Sequence, residues 1–326
     1  MPRRPAPLPT ELGDAFTRDQ ALAAGVTPRR IRARDLETPF RGVRLRPGRE
    51  ESSVRQGTEP LEHDRRVRRD VIRKARAYDL LMPGHAFFAG RTAAVIFGAP
   101  IGHGDELEVA VHAPARAPRR RGIRGVKVAT RLASVREHEG LRVASPASTW
   151  AMLGAELSTR ELVTLGDAFV RVARDDSGRL RAGSGLVTIE ELKRAATAGP
   201  RRGAARLRDA AELVRVGSAS PLETEYRLDA AAAGLPDAEL DVEIFDARGK
   251  RIGITEVVYR PYRVVVEIEG DHHRTSRIQW NRDIEKHAAY VAEGWEVVRL
   301  TSVHVRGGRA TSIVRDVLMR RGWRQS

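Results

Sequence analysis

Cysteine is missing from this chain of 326 residues. Its absence excludes disulfide scaffolds, thiolate metal centres and cysteine nucleophiles, and it fits a reducing compartment. Long apolar runs are missing as well, so no stretch has the ~20 consecutive apolar residues that cross a bilayer as a helix. The opening MPRRPAPLPTELGD has no apolar h-region of the kind a secretory leader carries. These absences predict a cytoplasmic chain with no membrane partner. What is present is enough for a sizeable core: 41% of residues are hydrophobic, and the length suits two or three domains.

Acidic charge is outweighed. Against 43 Asp and Glu stand 58 Lys and Arg, a net charge of +15. Arginine excess of this kind is either a mark of a GC-rich genome or a surface that attracts phosphate polyanions. Its distribution is uneven. From Ser218 to Ser326 there are 17 basic and 17 acidic residues, so the whole surplus lies between Met1 and Gly217. One part of the chain suits a polyanionic partner, and the other concentrates carboxylates.

TRDQALAAGVTPRRIRARDL reads as two helices. Thr17 caps the first, Gly25 breaks it, Thr27 caps the second and Pro28 takes its first position. The second helix carries Arg29, Arg30, Arg32 and Arg34. FRGVRLRPG follows as a β-wing with Arg41, Arg44 and Arg46 near its turn. Basic side chains on a second helix and a wing are what reaching phosphates and base edges requires, although a solvated basic face explains them too. This stretch resembles the winged-helix N-terminus of AbiEi-type antitoxins. The following region, a charged helix from Gly57 to Tyr78 and then mixed helices and strands, resembles the small α/β domain of the same proteins. Arg119, Arg120 and Arg121 lie on a loop there, and no catalytic constellation is visible.

From Ser218 the pattern is α-β-β-β-α-β-α. SPLETEYRLDAAAAGLP opens with Ser220 as N-cap, Pro221 at the first position and Glu223 completing a capping box. DVEIFDARGKRIGITEVVYRPYRVVVEIEG gives three strands with turns at ARGK and RPYR. IQWNRDIEKHAAYVAEG is a helix, WEVVRL a fourth strand and RATSIVRDVLMRR a last helix. Alternation puts Val264, Val266 and Ile268 on one face of the third strand and Val265, Glu267 and Glu269 on the other. On the second strand Ile254, Glu256 and Val258 share a face. Glu256, Glu267 and Glu269 are therefore expected to converge, and crowded carboxylates that resist losing water are relieved by a hard divalent cation.

SPLETEYR, VVVEIEGDHHR, QWNRDIEKH and GWEVVRLT together resemble the PD-(D/E)XK nuclease fold, and more closely the "domain of unknown function 559" group related to very-short-patch repair (Vsr) endonucleases. The resemblance implies a Mg²⁺- or Mn²⁺-dependent hydrolase acting on DNA. It places Glu256 where the family carries a metal-ligating aspartate, Glu267 on the family's glutamate, and Glu269 where relatives have Asp and the wider superfamily lysine. It places His272 and His273 on histidines that move protons, Glu223 on a helix glutamate, and Asp283 and Arg299 on supporting positions. Other roles stay open: Glu223 as a cap, Glu267 and Glu269 paired with Arg263 or Arg299, the histidines as turn residues. The expected layout is an α/β multidomain chain: a winged-helix DNA-binding domain at 1–55, a small α/β middle domain at 56–217 and an αβββαβ restriction-endonuclease-like domain at 218–326. The alternative function is a non-catalytic DNA-binding regulator, an antitoxin-like repressor that keeps a degenerate nuclease fold.

Overall fold

The computed structural model describes residues 5–47, 60–269 and 277–325, with side chains omitted at 60–61 and 277–283. It is mixed α/β and falls into two compact units, Met1–Met152 and Leu153–Ser326. Among the described residues, no helix is long and apolar enough to cross a membrane.

The first unit begins with strand β1 (Ala15–Thr17), helices α1 (Arg18–Ala23) and α2 (Pro28–Ile31), and strand β2 (Val43–Leu45). Thr17 and Gln20 form a capping box at α1, and the Thr27 hydroxyl accepts the Arg30 amide at α2. β2 pairs antiparallel with β1, in register Phe16↔Arg44. The ribbon and both helices enclose a small core of Leu12, Phe16, Ala21, Val26, Ile31 and Leu36. The second helix is one turn long, shorter than the arginine run predicts. Arg32 is already its C-cap, and Arg34 lies beyond it.

A long helix, α3 (Pro60–Asp79), leads to β3 (Ala86–Phe88), α4 (Gly90–Ile96), β4 (Leu107–His112), β5 (Ile123–Val128), β6 (Val135–His138), β7 (Leu141–Ala144) and α5 (Pro146–Met152). The strands form one sheet in the order β5-β4-β3-β7-β6.

The second unit starts with three helices, α6 (Thr159–Val170), α7 (Ile189–Thr197) and α8 (Ala204–Leu213). Next come α9 (Pro221–Ala232), β8 (Glu239–Phe245), β9 (Arg251–Tyr259), β10 (Val264–Glu269), α10 (Arg277–Ala292), β11 (Glu296–Thr301), the short α11 (Ser302–Arg306) and α12 (Ala310–Arg320). Apart from α11, this is the element order read from the sequence. The sheet runs β11-β10-β9-β8. β8, β9 and β10 form an antiparallel meander, and β11 returns parallel to β10 after the α10 crossover.

Alternation on β10 sets the layers. Val264, Val266 and Ile268 join Leu222 and Tyr226 of α9 and Val314 and Leu318 of α12 in the main core. Val265 faces the other way, against Val258, Ile244 and Tyr290 of α10. Val264, Val265 and Val266 are all fully buried, each contributing roughly 1.5–3 kcal/mol of apolar transfer. The sheet is thus covered on both faces, which is why three valines in succession are tolerated.

A buried polar joint ties the leading helices to this layer. Asp167 of α6 is fully enclosed, and its carboxylate accepts the Arg215 amide, the Thr224 hydroxyl and Arg227 Nη2, each at 2.8 Å.

Candidate functional site

β9 and β10 pair as far as Val265↔Val258 and Val266↔Val257, and the next residues along are Glu256 and Glu267, close enough that the Glu267 charge raises the Glu256 pKa. Glu267 meets α10 through Lys286. Tyr290 and Lys286, one helical turn apart on α10, close over them. The Lys286 ammonium ion-pairs with Glu267 and donates to the Ile254 carbonyl at 3.0 Å. It also stands 5.6 Å from the centre of the Tyr290 ring.

Three polar atoms in this corner are shut off from solvent and have no hydrogen-bond partner among the described residues: Glu256 Oε2, Glu267 Oε1 and the Tyr290 hydroxyl. Orphaned buried polar groups are rare and costly. Burial is the main cause of a Glu256 pKa pushed up to about 7, with Glu223 and Glu267 adding to the rise and Lys286 opposing it. Burial also raises Tyr290, and Glu267 and Glu256 push it further. Gly253 makes the corner possible. A Cβ there would stand 2.6 Å from Lys286 Cε and 3.0 Å from the Tyr290 hydroxyl.

The remaining sequence-predicted residues fall into three groups. Glu269 is engaged by Arg299, which donates to it through Nε at 2.6 Å and also through Nη2. This is one of the structural pairings that the sequence left open, and it gives Arg299 its role. Glu223 is buried and accepts the Ala219 amide at 2.7 Å and the Ser220 hydroxyl at 2.9 Å, while Ser220 caps its backbone. The carboxylate thus reaches one residue before the cap, a variant of the expected capping box. Burial raises its pKa. His272 and His273 lie outside the described residues, and Asp283 is described in backbone only, on α10.

Among the described residues, no group of three His, Asp or Glu side chains is arranged to hold a metal ion. Glu256 and Glu267 are the two carboxylates of the expected set whose charges act on each other. A pair still fits a hard cation such as Mg²⁺, which takes one or two carboxylates and completes its shell with water and phosphate oxygens. The buried, unpartnered oxygen of Glu256 is what such a cation, or a proton, would satisfy.

Lys286 and Tyr290 were not singled out by sequence reasoning. Their signal is weak: two residues four apart on a charged helix, opposite a glycine on a neighbouring strand.

In the first unit, Arg29, Arg32, Arg34 and Arg41 are exposed. Arg30 is spent internally, in a two-pronged pair with Asp35 at 2.8 and 3.0 Å and a bond to the Ala6 carbonyl at 2.6 Å. Arg44 donates to the carbonyls of Ile31 and Val43. Arg46 donates to those of Pro9, Leu12 and Gly13. An open cleft of about 1140 Å³ is lined by Arg41, Arg44, Lys74, Arg120 and Arg121, with Asp105 and Glu106 also on its wall. Arg120 donates to the Arg41 carbonyl at 3.1 Å, joining the loop before β5 to the segment before β2.

Comparison with family models, curated proteins and solved structures finds no match for this chain.

Proposed function

We propose that the chain is a DNA-binding, metal-dependent endonuclease. Its layout would be a winged-helix domain (1–55), a small α/β domain (56–217) and a Vsr-like PD-(D/E)XK domain (218–326). The observation that carries this reading is the Glu256–Glu267 pair on neighbouring strands of a sheet in αβββαβ order, with one Glu256 oxygen buried and unsatisfied among the described residues. Mg²⁺ or Mn²⁺, when bound, supplies Lewis-acid stabilisation of the charge that develops on the scissile phosphate. Glu256 and Glu267 hold it. Arg299 holds Glu269 in an ion pair. Proton transfer by His272 or His273 rests on the sequence alone, on imidazoles that titrate near neutrality. The exposed Arg29, Arg32, Arg34 and Arg41 supply phosphate contacts in the first unit.

A second reading, the DNA-binding regulator with a degenerate nuclease fold, is favoured by two observations. Glu269 is spent on Arg299, and a lysine already neutralises Glu267.

Glu256 separates the two readings. Glutamate is one methylene longer than the aspartate that the resembling family carries. Strand spacing is fixed by the hydrogen-bond ladder, so the backbone does not retreat to make room. Misplacing a ligand by about 1 Å costs on the order of a hundredfold in rate. Plasmid nicking with Mg²⁺ or Mn²⁺ and an EDTA control should show weak cleavage by the native chain, more by Glu256→Asp and none by Glu256→Ala. Full native activity that drops in the Asp variant would reverse the geometric argument. Cleavage by none of the three would favour the regulator.

A further inference from the structure

Lys286 sits in the acidic corner where a cation is wanted. Its ammonium touches Glu267 Oε1, an oxygen shut off from solvent. The contact is ionic rather than a directed hydrogen bond, since that oxygen has no aligned donor. Among the described residues, the directed bond of the ammonium goes to a backbone carbonyl, that of Ile254. Gly253 leaves room for the lysine stem and nothing larger. The lysine side chain is 26% exposed, so its flexible four-carbon stem has a path to water.

We infer that Lys286 is the resident counter-ion of the Glu256–Glu267 pair, and that a divalent cation binds there by displacing the ammonium from Glu267 into solvent. The inference rests on the metal-site reading above. Its reason is charge. Two carboxylates carry at most two negative charges, and an ammonium plus a dication would bring three positive ones to the same few atoms. Both would be held by the Glu267 carboxylate. At such separations like charges repel strongly, more so in a corner that buries Glu256 Oε2 and the Tyr290 hydroxyl. The lysine alone has somewhere to go. Lys286 is thus a positioning residue that sets the threshold concentration for metal entry, and it keeps the carboxylates from repelling each other until then.

The test uses the full native chain. The sequence holds five lysines, so a brief amine-acetylation pulse followed by peptide mass spectrometry reads each one, with Lys74, Lys127, Lys193 and Lys250 as internal controls. Mn²⁺ binding is followed in parallel by electron paramagnetic resonance. Saturating Mn²⁺ should raise the acetylation rate of Lys286 severalfold and leave the four controls unchanged. Bound Mn²⁺ with an unchanged or slower rate at Lys286 means that the lysine stays in the site, and the displacement is wrong. No bound Mn²⁺ means that the metal-site reading fails, and this inference with it. Lys286→Met keeps the stem and removes the charge. It should bind Mn²⁺ more tightly, on the order of tenfold. Equal affinity in native and Met forms would also overturn the proposal.

Discussion

Glu256 is a carboxylate whose ionisation is opposed by burial and by two neighbouring carboxylates, which places its pKa near 7 against an ordinary 4.5. Between those values the folded chain keeps a proton that the unfolded chain has lost. In metal-free solution, stability therefore falls as pH rises from about 4.5 to about 7 and is flat beyond, by an amount on the order of 3 kcal/mol. Glu256→Gln removes the titration. It should match the native chain at pH 5 and exceed its stability by roughly that amount at pH 8. Urea unfolding in EDTA at both pH values measures this, and an equal difference at the two would contradict it. Glu256 and Glu267 were legible in the sequence because strand alternation alone puts them on one face. The capture of Glu269 by Arg299 was visible only as one of several pairings. Lys286 was not legible, because a lysine within QWNRDIEKH looks like any solvated helix charge until the fold brings Gly253 beneath it.

Elements were easiest to read where local chemistry closes on itself. Thr17 with Gln20 and Ser158 with Glu161 each satisfy helix-start amides within four residues, and α1 begins where the sequence places it. Two elements are decided by tertiary packing. The apolar AFF is strand β3, held between β4 and β7. Helix α2 stops after one turn, and Arg30 turns back to Asp35. Packing also fixes how α6 meets α9, through Asp167, and no local pattern announces a contact across 57 residues. That joint is testable. Asp167→Ala would leave Arg227, whose side chain is 14% exposed, buried without its partner and strip the Arg215 amide and Thr224 hydroxyl of their acceptor. The expected loss is about 3–5 kcal/mol in chemical denaturation, with Asp167→Asn losing less because it keeps an acceptor. A loss below about 1 kcal/mol for the Ala variant would show that the helices are held by apolar packing alone.

At the scale of the whole chain, charge is the most legible property and the one the fold leaves most nearly intact. The surplus of +15 lies before Ser218. Packing subtracts from it selectively: Arg30, Arg44 and Arg46 are spent on Asp35 and on backbone carbonyls, whereas Arg29, Arg32, Arg34 and Arg41 are left exposed. Where DNA is the partner, these four act by neutralising phosphates, and each contact that releases counterions contributes about 0.9 to the slope of log K against log salt. Replacing all four with Ala should weaken duplex binding and flatten that slope by up to about 3 to 4. The control removes the same charge from the balanced end of the chain, where Arg248, Arg306, Arg309 and Arg324 are also exposed. A general attraction between a basic protein and DNA would make the two quadruple variants equivalent. A docking surface in the first unit predicts that only the N-terminal set changes the slope. Fluorescence anisotropy of a labelled duplex across a salt series distinguishes them, and matching slopes for the two variants would show that the charge excess is composition rather than an interface.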